Sequence, residues 1–572
     1  DIVIDLAPNV WTGATDNLWN VATNWSLGVV PDGTTDVVIP TGTPILNVDY
    51  TVPTGKKLTI NGTGTLTVAT NAVLTTAGIS DFGGKSVILK SDAIGTATIG
   101  QVTGTLSNAT NVTVERYIPA KRAWRFLTAP LKGTSNNTIV SNWQGTNGEG
   151  VLLFSPATYQ SQTMTGYTAG GSAPNIFKYN SGWQSMPNLA TETMFGATAN
   201  DTQAYQIFVT GASNSTNIVT GADATTLRPK GELITGTVNH ALTANAYKLV
   251  PNPYASPIST VGLVTNNTGA KIWLLEPSIG LGGYVTYDGA NWSAPTTGND
   301  TNIQSGQGFF VKSTGTTFNI QESLKVTGNS NTWFEKVSNN DDKIRVLLYK
   351  EDASEWKLTD AILAVNSVDG NTSVDDSDAS KISNYNESLM FRNDNSNLSI
   401  EYRALPLLNE VQPMRLTGTT ATPYQLRLYV ENFSNGSLVP MLEDTQSGSL
   451  TAIPTDGSIL TVPFAGVVSN ATNPDNRFRI VYQSALSTGS FETLNVVVYP
   501  NPVNNGTLNI NLPQSDVATF EMYNVIGQKV QQGKLSLQNN QVDVTRLQAG
   551  VYVLNIEQSG KKYTTKVIVD AN

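Results

Sequence analysis

Short alternations of apolar and polar residues, punctuated by Gly, Asn, Thr and Pro, run through almost the whole chain. Between residues 31 and 115 they are brief, as in "KLTI", "TLTV", "SVILK", "ATIG" and "VTVERY". A period of two bounded by turn formers predicts strands. Leu58 and Ile60, then Leu66 and Val68, repeat one apolar-x-apolar pattern at a constant offset. That regularity predicts a coiled stack of strands, a small β-helix of about three or four turns, with a β-sandwich as the alternative. Residues 1–115 therefore read as a β-helix-like module with three tryptophans near its start, Trp11, Trp19 and Trp25.

Residues 116–328 read as a second, sandwich-like module, opening on "RYIPAKRAWRFLTAP" and containing "KLVPNPYASPI" and "GQGFFVKSTG". In 329–483 the alternation is cleaner, as in "KIRVLLYK", "YQLRLYVENF" and "RFRIVYQS", the pattern of half-buried antiparallel strands in a β-sandwich. The small polar stretch 484–492 reads as a linker. Residues 493–572 form a compact last unit. Within it "GVYVLNIEQSGKKYTTKVIV" predicts a hairpin turning at Ser559 and Gly560, with Tyr552, Leu554 and Ile556 on one face. No helix of consequence is predicted, and the fold class is all-β.

Composition narrows the function classes. A chain of 572 residues is too long for one core. Charged residues make up only 14%, with 34 basic against 44 acidic, a net charge of -10. Without a basic block, that balance argues against nucleic acid and anionic membrane surfaces as partners. No apolar run is long enough for a transmembrane helix. "DIVIDLAP" at the start lacks the basic and apolar segments of a signal peptide, so an exported protein would be mature from Asp1. With no cysteine, disulfides, thiolate metal sites and cysteine nucleophiles are excluded.

The triplet Pro-Asn-Pro occurs at 251–253 and again at 500–502. Proline has no N–H for a ladder and holds the preceding residue extended, so each triplet predicts a strand end or a sheet edge. Around the second one the sequence is more specific. It has Tyr499-Pro500-Asn501-Pro502, then "TLNINL", "YNVIGQKV" with Gly527, "LQAGVYVL" with Leu547, Gly550 and Tyr552, and "KKYTTKVIV" with Lys566, in that order. This ordered set resembles the C-terminal sorting domain, type A, of proteins exported by the type IX secretion system of Bacteroidetes-type bacteria.

The resemblance implies an immunoglobulin-like β-sandwich that is read by an outer-membrane translocon and its shuttle β-barrel. It also implies removal of the domain by a sortase-like protease, with a cut between Ser484 and Phe491 here, and joining of the cargo to an anionic lipopolysaccharide. Retention of the domain through Asn572 would mark a chain produced recombinantly or caught before processing. The quoted residues are the candidates for translocon and shuttle recognition, their plainer role being to hold the small fold together. Upstream, "RAWRFLTAP" with "VPNPYASPI" and "RFRIVY" resemble cargo modules of such proteins and imply no activity.

Candidate chemistry elsewhere is sparse. His240 is the only histidine, which excludes a multi-histidine metal site, and a structural role is expected for it. There is no G-x-S-x-G elbow and no phosphate loop. Asp375, Asp376 and Asp378 in "VDDSDAS" are hard oxygen ligands close enough together for Ca2+, but the EF-hand order is absent and a solvated loop is the expectation. Trp11, Trp19 and Trp25 admit two roles, a flat platform for a surface glycan or a cap over the open end of the β-stack. The cap is the expectation. Arg116, Arg122, Trp124 and Arg125 likewise read as a ligand patch or as ordinary Arg–Trp stacking. The chain thus reads as a non-enzymatic, secreted or cell-surface protein of structural or adhesin type, without a cofactor. A polysaccharide-degrading enzyme or glycan-binding module on the β-helix is the alternative.

Overall fold

A computed structural model describes residues 7–144, 150–294, 302–326, 341–466, 475–485, 496–512, 517–536, 539–558 and 561–570. Strands account for 49% of the chain and helix for 4%. The chain divides into two compact units, Asp1–Gln483 and Ser484–Asn572. Most of the 484–492 linker, the segment expected to be cut and the turn expected at Ser559 and Gly560 lie outside the described residues.

The first unit begins with a parallel three-faced coil. Val37–Ile39, Lys57–Ile60, Ile79–Asp81 and Thr105–Ser107 stack on one face. Ile45–Leu46, Leu66–Val68, Val87–Leu89 and Val112–Val114 stack on the second. Tyr50–Val52, Val73–Thr76 and Thr98–Val102 form the third. The apolar pairs that repeat in sequence, Leu58/Ile60 and Leu66/Val68, sit on successive faces, and all four side chains point into the coil. Val37 pairs with Leu58 and Ile79 with Thr105, so one coil takes from 21 to 26 residues. At a corner the coils approach so closely that a Cβ on Gly104 would stand 1.9 Å from the carbonyl oxygen of Gly78. Only glycine fits there.

The coil does not end as a separate module at residue 115. Its second face continues through Val112–Val114 into antiparallel pairing with Lys230–Leu233, which in turn pairs with Leu131–Lys132. One hydrophobic cluster runs from Trp11 to Ala255. The Ile99 amide donates to the Ala255 carbonyl at 2.9 Å, and Lys325 Nζ to the Gly100 carbonyl at 3.3 Å. Regions 1–115, 116–328 and 329–483 are thus parts of one compact body. Among the described residues two short α-helices interrupt the β pattern, Ile139–Trp143 under a Thr138–Ser141 capping box and Thr260–Asn266 capped by Ser259.

The third part of this unit, Asp342 to Gln483, is one continuous eleven-stranded sheet. It is not purely antiparallel. Glu355–Ser367 runs parallel to Ser396–Ala404, with Leu363 opposite Ile400, because the intervening strand Ser388–Asn393 returns the chain through a hairpin. The sheet also bends back on itself. Leu460–Ala465 lies at one end of the strand order and Asp475–Ser484 near the other, yet Phe464 and Phe478 meet with ring centroids 5.0 Å apart.

In the second unit a three-stranded sheet (Val497–Tyr499, Thr507–Asn511, Gln541–Asp543) and a four-stranded sheet share one core. The four strands are Lys529–Leu535, Ala518–Asn524, Gly550–Gln558 and Lys561–Val569. Tyr552 stands opposite Val567, Leu554 opposite Thr565 and Ile556 opposite Tyr563.

Candidate functional site

Within the second unit, Pro500-Asn501-Pro502 is the corner at which the chain leaves one sheet for the other. Tyr499 still pairs with Asn509 in the three-stranded sheet, whereas Val503 bridges to Val569 at the edge of the four-stranded sheet. Both X–Pro bonds of the corner are cis. The prolines have no N–H to offer, and the asparagine side chain takes over their ladder role. Asn501 Nδ2 donates to the Lys566 carbonyl at 2.7 Å, and Asn501 Oδ1 accepts the Ile568 N–H at 2.9 Å. The carboxamide therefore pairs with the last strand as a backbone peptide would.

The other motif residues follow from similar local needs. Gly527 sits at φ +79° in the Asn524–Gln528 turn, a conformation that carries no penalty only for glycine. There the Asn524 carboxamide oxygen accepts from Ile526 and Gln528, leaving Val525 and Ile526 76% and 74% exposed at the tip. Tyr552 is buried and its hydroxyl donates to the Gln548 carbonyl at 2.8 Å, which ties down the loop before Gly550. Leu547 packs partly buried against the core. Lys566 is exposed, and it is its backbone that Asn501 holds.

The register brings these pieces together. Asn524 stands beside Tyr552, Tyr552 beside Val567, Gly550 beside Val569, and Val569 beside Val503. Four stretches separated by tens of residues in sequence thus meet at one end of the four-stranded sheet. Tyr499, 52% exposed, and Val551, 38% exposed, add apolar surface near that end.

The candidates in the first unit are arranged differently. Trp11, Trp19 and Trp25 are buried, with exposures of 2%, 0% and 3%. Trp25 meets the other two edge-to-face at 5.0 and 4.6 Å, and Trp19 packs on Tyr50 at 5.1 Å. The three indoles fill the open end of the coil, and the glycan-platform reading is corrected, because no flat indole face is left to the solvent. The Ca2+ reading is corrected as well. Asp378 spends its carboxylate oxygens on the Asp375 and Tyr402 N–H groups, both at 2.9 Å, and Asp375 caps Ser377. The Lys271 ammonium donates to the carbonyls of Asp376 and Asp378, standing where a cation would. Among the described residues no three acidic or histidine side chains converge to hold a metal.

His240 lies in a strand opposite Phe318, and burial, with Lys248 nearby, pushes its pKa down to about 4. No helix among the described residues is long and apolar enough to cross a membrane. Asn252, in the first triplet, is a buried hub bonded locally to Tyr254 and Ser256 and, some 50 residues downstream, to Ile303 and Gln304; the triplet marks the turn, but nothing local in the sequence marks the distant partners.

Comparison with known proteins follows this division. No curated protein matches the chain. A domain of unknown function, DUF8693, matches residues 10–482, and the secretion system C-terminal sorting domain matches residues 497–570. The chain belongs to the DUF8693 family, and it ends in a type IX secretion sorting domain, the signal that sends it out of the cell to the surface or the extracellular space.

Proposed function

We propose that this is a non-enzymatic cell-surface or secreted protein of structural or adhesin type, and that the outer-membrane translocon and its shuttle barrel read one end of its sorting domain. The convergence of Tyr499–Pro502, the Gly527 turn, the Leu547–Tyr552 segment and the Lys566–Val569 edge carries this reading. Such an end is a preformed surface, so a receptor that grips it spends little on ordering it. The exposed pair Val525 and Ile526 supplies apolar contact, and the corner at Asn501 supplies shape.

The test is to fuse residues 484–572 to an inert reporter in a type IX-competent bacterium. With Val525→Asp and Ile526→Asp together, export is expected to fall by about tenfold or more, as for loss of an apolar anchor. Val517→Asp replaces a 60% exposed valine at the opposite end of the same sheet and is expected to leave export intact. Equal export of both variants would defeat the proposal.

A further inference from the structure

A cavity of about 770 Å3 opens in the first unit where its three parts meet, lined from the coil by Asp92 and Ala93, from the middle part by Arg116, Lys121 and Arg125, and from the eleven-stranded sheet by Tyr349 and Leu358. Its size is that of a small-molecule site. The strand Ala123–Thr128 sorts the basic cluster seen in the sequence. Trp124 points to one side, stacked on Tyr385 at 5.0 Å. Arg122 lies over the Phe208 ring at 5.3 Å and donates to the Asn217, Ile218 and Gly221 carbonyls. Arg125 goes to the other side and lines the cavity with Arg116.

The charges in this cavity are not settled by the protein. The backbone of Arg116 pairs with Leu227, but its half-buried side chain makes no hydrogen bond or ion pair among the described residues, and burial pushes its pKa down to about 10, which leaves it protonated at neutral pH. Arg125 is buried and donates through Nη1 to the Lys121 and Ala123 carbonyls, both at 3.1 Å. Its Nε and Nη2 have no partner among the described residues. Across from them Glu276 is 3% exposed. One of its oxygens accepts the Ser278 N–H at 2.7 Å, while Oε2 is buried without a hydrogen bond. Burial raises its pKa, against opposing pulls from Ser278, Lys121 and Arg125.

Glu276 Oε2 is buried without a partner, which costs desolvation free energy that nothing in the protein returns, while the free guanidinium nitrogens of Arg116 and Arg125 remain open to a ligand in the cavity. Three cations face two carboxyls, so the cavity carries a surplus of about one positive charge in a chain of net charge -10. Planar guanidinium forks match a carboxylate in two-point contact. Gln304, Gln307 and Tyr117 also line the cavity, residue types that meet hydroxyls and the C–H faces of a sugar ring; the Gln307 amide oxygen already accepts the Gln304 N–H, and the Tyr349 ring is stacked by Arg427.

We infer that this cavity binds a carboxylate-bearing sugar, a hexuronic-acid-type residue, with its carboxylate on Arg116 and Arg125 and a ring hydroxyl on Glu276. The inference is independent of the export reading, because neither it nor its test involves the sorting domain.

Titration calorimetry on the full chain with galacturonate and glucuronate trisaccharides tests it. Both, or one of them, are expected to bind. The uncharged galactose trisaccharide, inorganic phosphate and glucose 6-sulfate are expected to bind at least about tenfold more weakly, since a bidentate carboxylate contact is lost or mismatched. Arg116→Gln is expected to weaken uronate binding by about tenfold or more. Ala93→Trp keeps every charge and fills the cavity from an exposed position, so it should abolish binding with an unchanged melting temperature. Absence of uronate binding, equal binding of the neutral, phosphate or sulfate probes, or binding unaffected in Ala93→Trp would each overturn the inference.

Discussion

At Pro251-Asn252-Pro253 the asparagine is fully buried, and at Pro500-Asn501-Pro502 it is exposed. Asn252 Nδ2 donates to the Ser256, Ile303 and Gln304 carbonyls at 2.9 to 3.1 Å, and its Oδ1 accepts the Tyr254 N–H at 3.0 Å. Asn501 makes two such bonds, both to one neighbouring strand. In each case a carboxamide stands in for peptide groups that flanking prolines cannot supply. The surroundings set the consequence. Asn252 ties its own loop, at Tyr254 and Ser256, to the distant segment Ile303–Gln304 inside the first unit, whereas Asn501 closes a sheet corner that solvent can reach. One local motif therefore serves as an internal tie in the first case and as part of a presented edge in the second.

Replacing each asparagine sharpens this comparison. Asn252→Ala removes four buried hydrogen bonds, to three carbonyls and one N–H, and is expected to cost the first unit about 3–5 kcal/mol in denaturant or thermal unfolding. A loss below about 1 kcal/mol would mean that water replaces the carboxamide, and the buried-tie account would fail.

The next largest effect separates the two units by pH. The only histidine lies in the first unit, buried, with its folded pKa at about 4 against an ordinary value near 6.5. Between those values the unfolded chain takes up a proton that the folded unit refuses. His240 therefore contributes its full stability above about pH 6.5 and loses it as pH falls through 4, a change of about 3 kcal/mol. Melting of the first unit should shift accordingly between pH 7 and pH 4.5, and His240→Gln should flatten that component. An unchanged slope in the variant would assign the acid sensitivity to carboxylates instead.

The smallest expected effect is that of Asn501→Ala. Two solvent-accessible hydrogen bonds are worth about 1–2 kcal/mol together, and the loss should appear in unfolding of the sorting domain alone. A cost as large as that of Asn252→Ala would abolish the distinction between tie and edge.

Much of this was legible in the residues. The period-two alternation broken by Gly and Asn announces strands, and the recurrence from Leu58/Ile60 to Leu66/Val68 announces the coil, because side-chain direction along a strand depends only on the local backbone. The ordered set from Tyr499 to Lys566 marks the sorting domain for a similar reason, since each member meets a need of its own turn or strand. The inward packing of Trp11, Trp19 and Trp25 was the expected one of two readings, since the open end of a β-stack must be covered, and their neighbours decided it.

The amino-acid sequence by itself determined the strand-rich class, the coil repeat, the absence of thiol chemistry and the export signal. Tertiary structure alone decided that the coil and the regions after it form one body, that Lys271 stands among the carbonyls of the acidic loop, and that Arg116 and Arg125 share a cavity while Arg122 and Trp124 turn away. Those outcomes depend on residues about 100 or more positions apart, as in the Lys271 bonds to Asp376 and Asp378 and the Arg122 bonds to Asn217 and Gly221. A local pattern states which face of a strand is apolar, but which distant segment covers that face is chosen by the packing of the whole core.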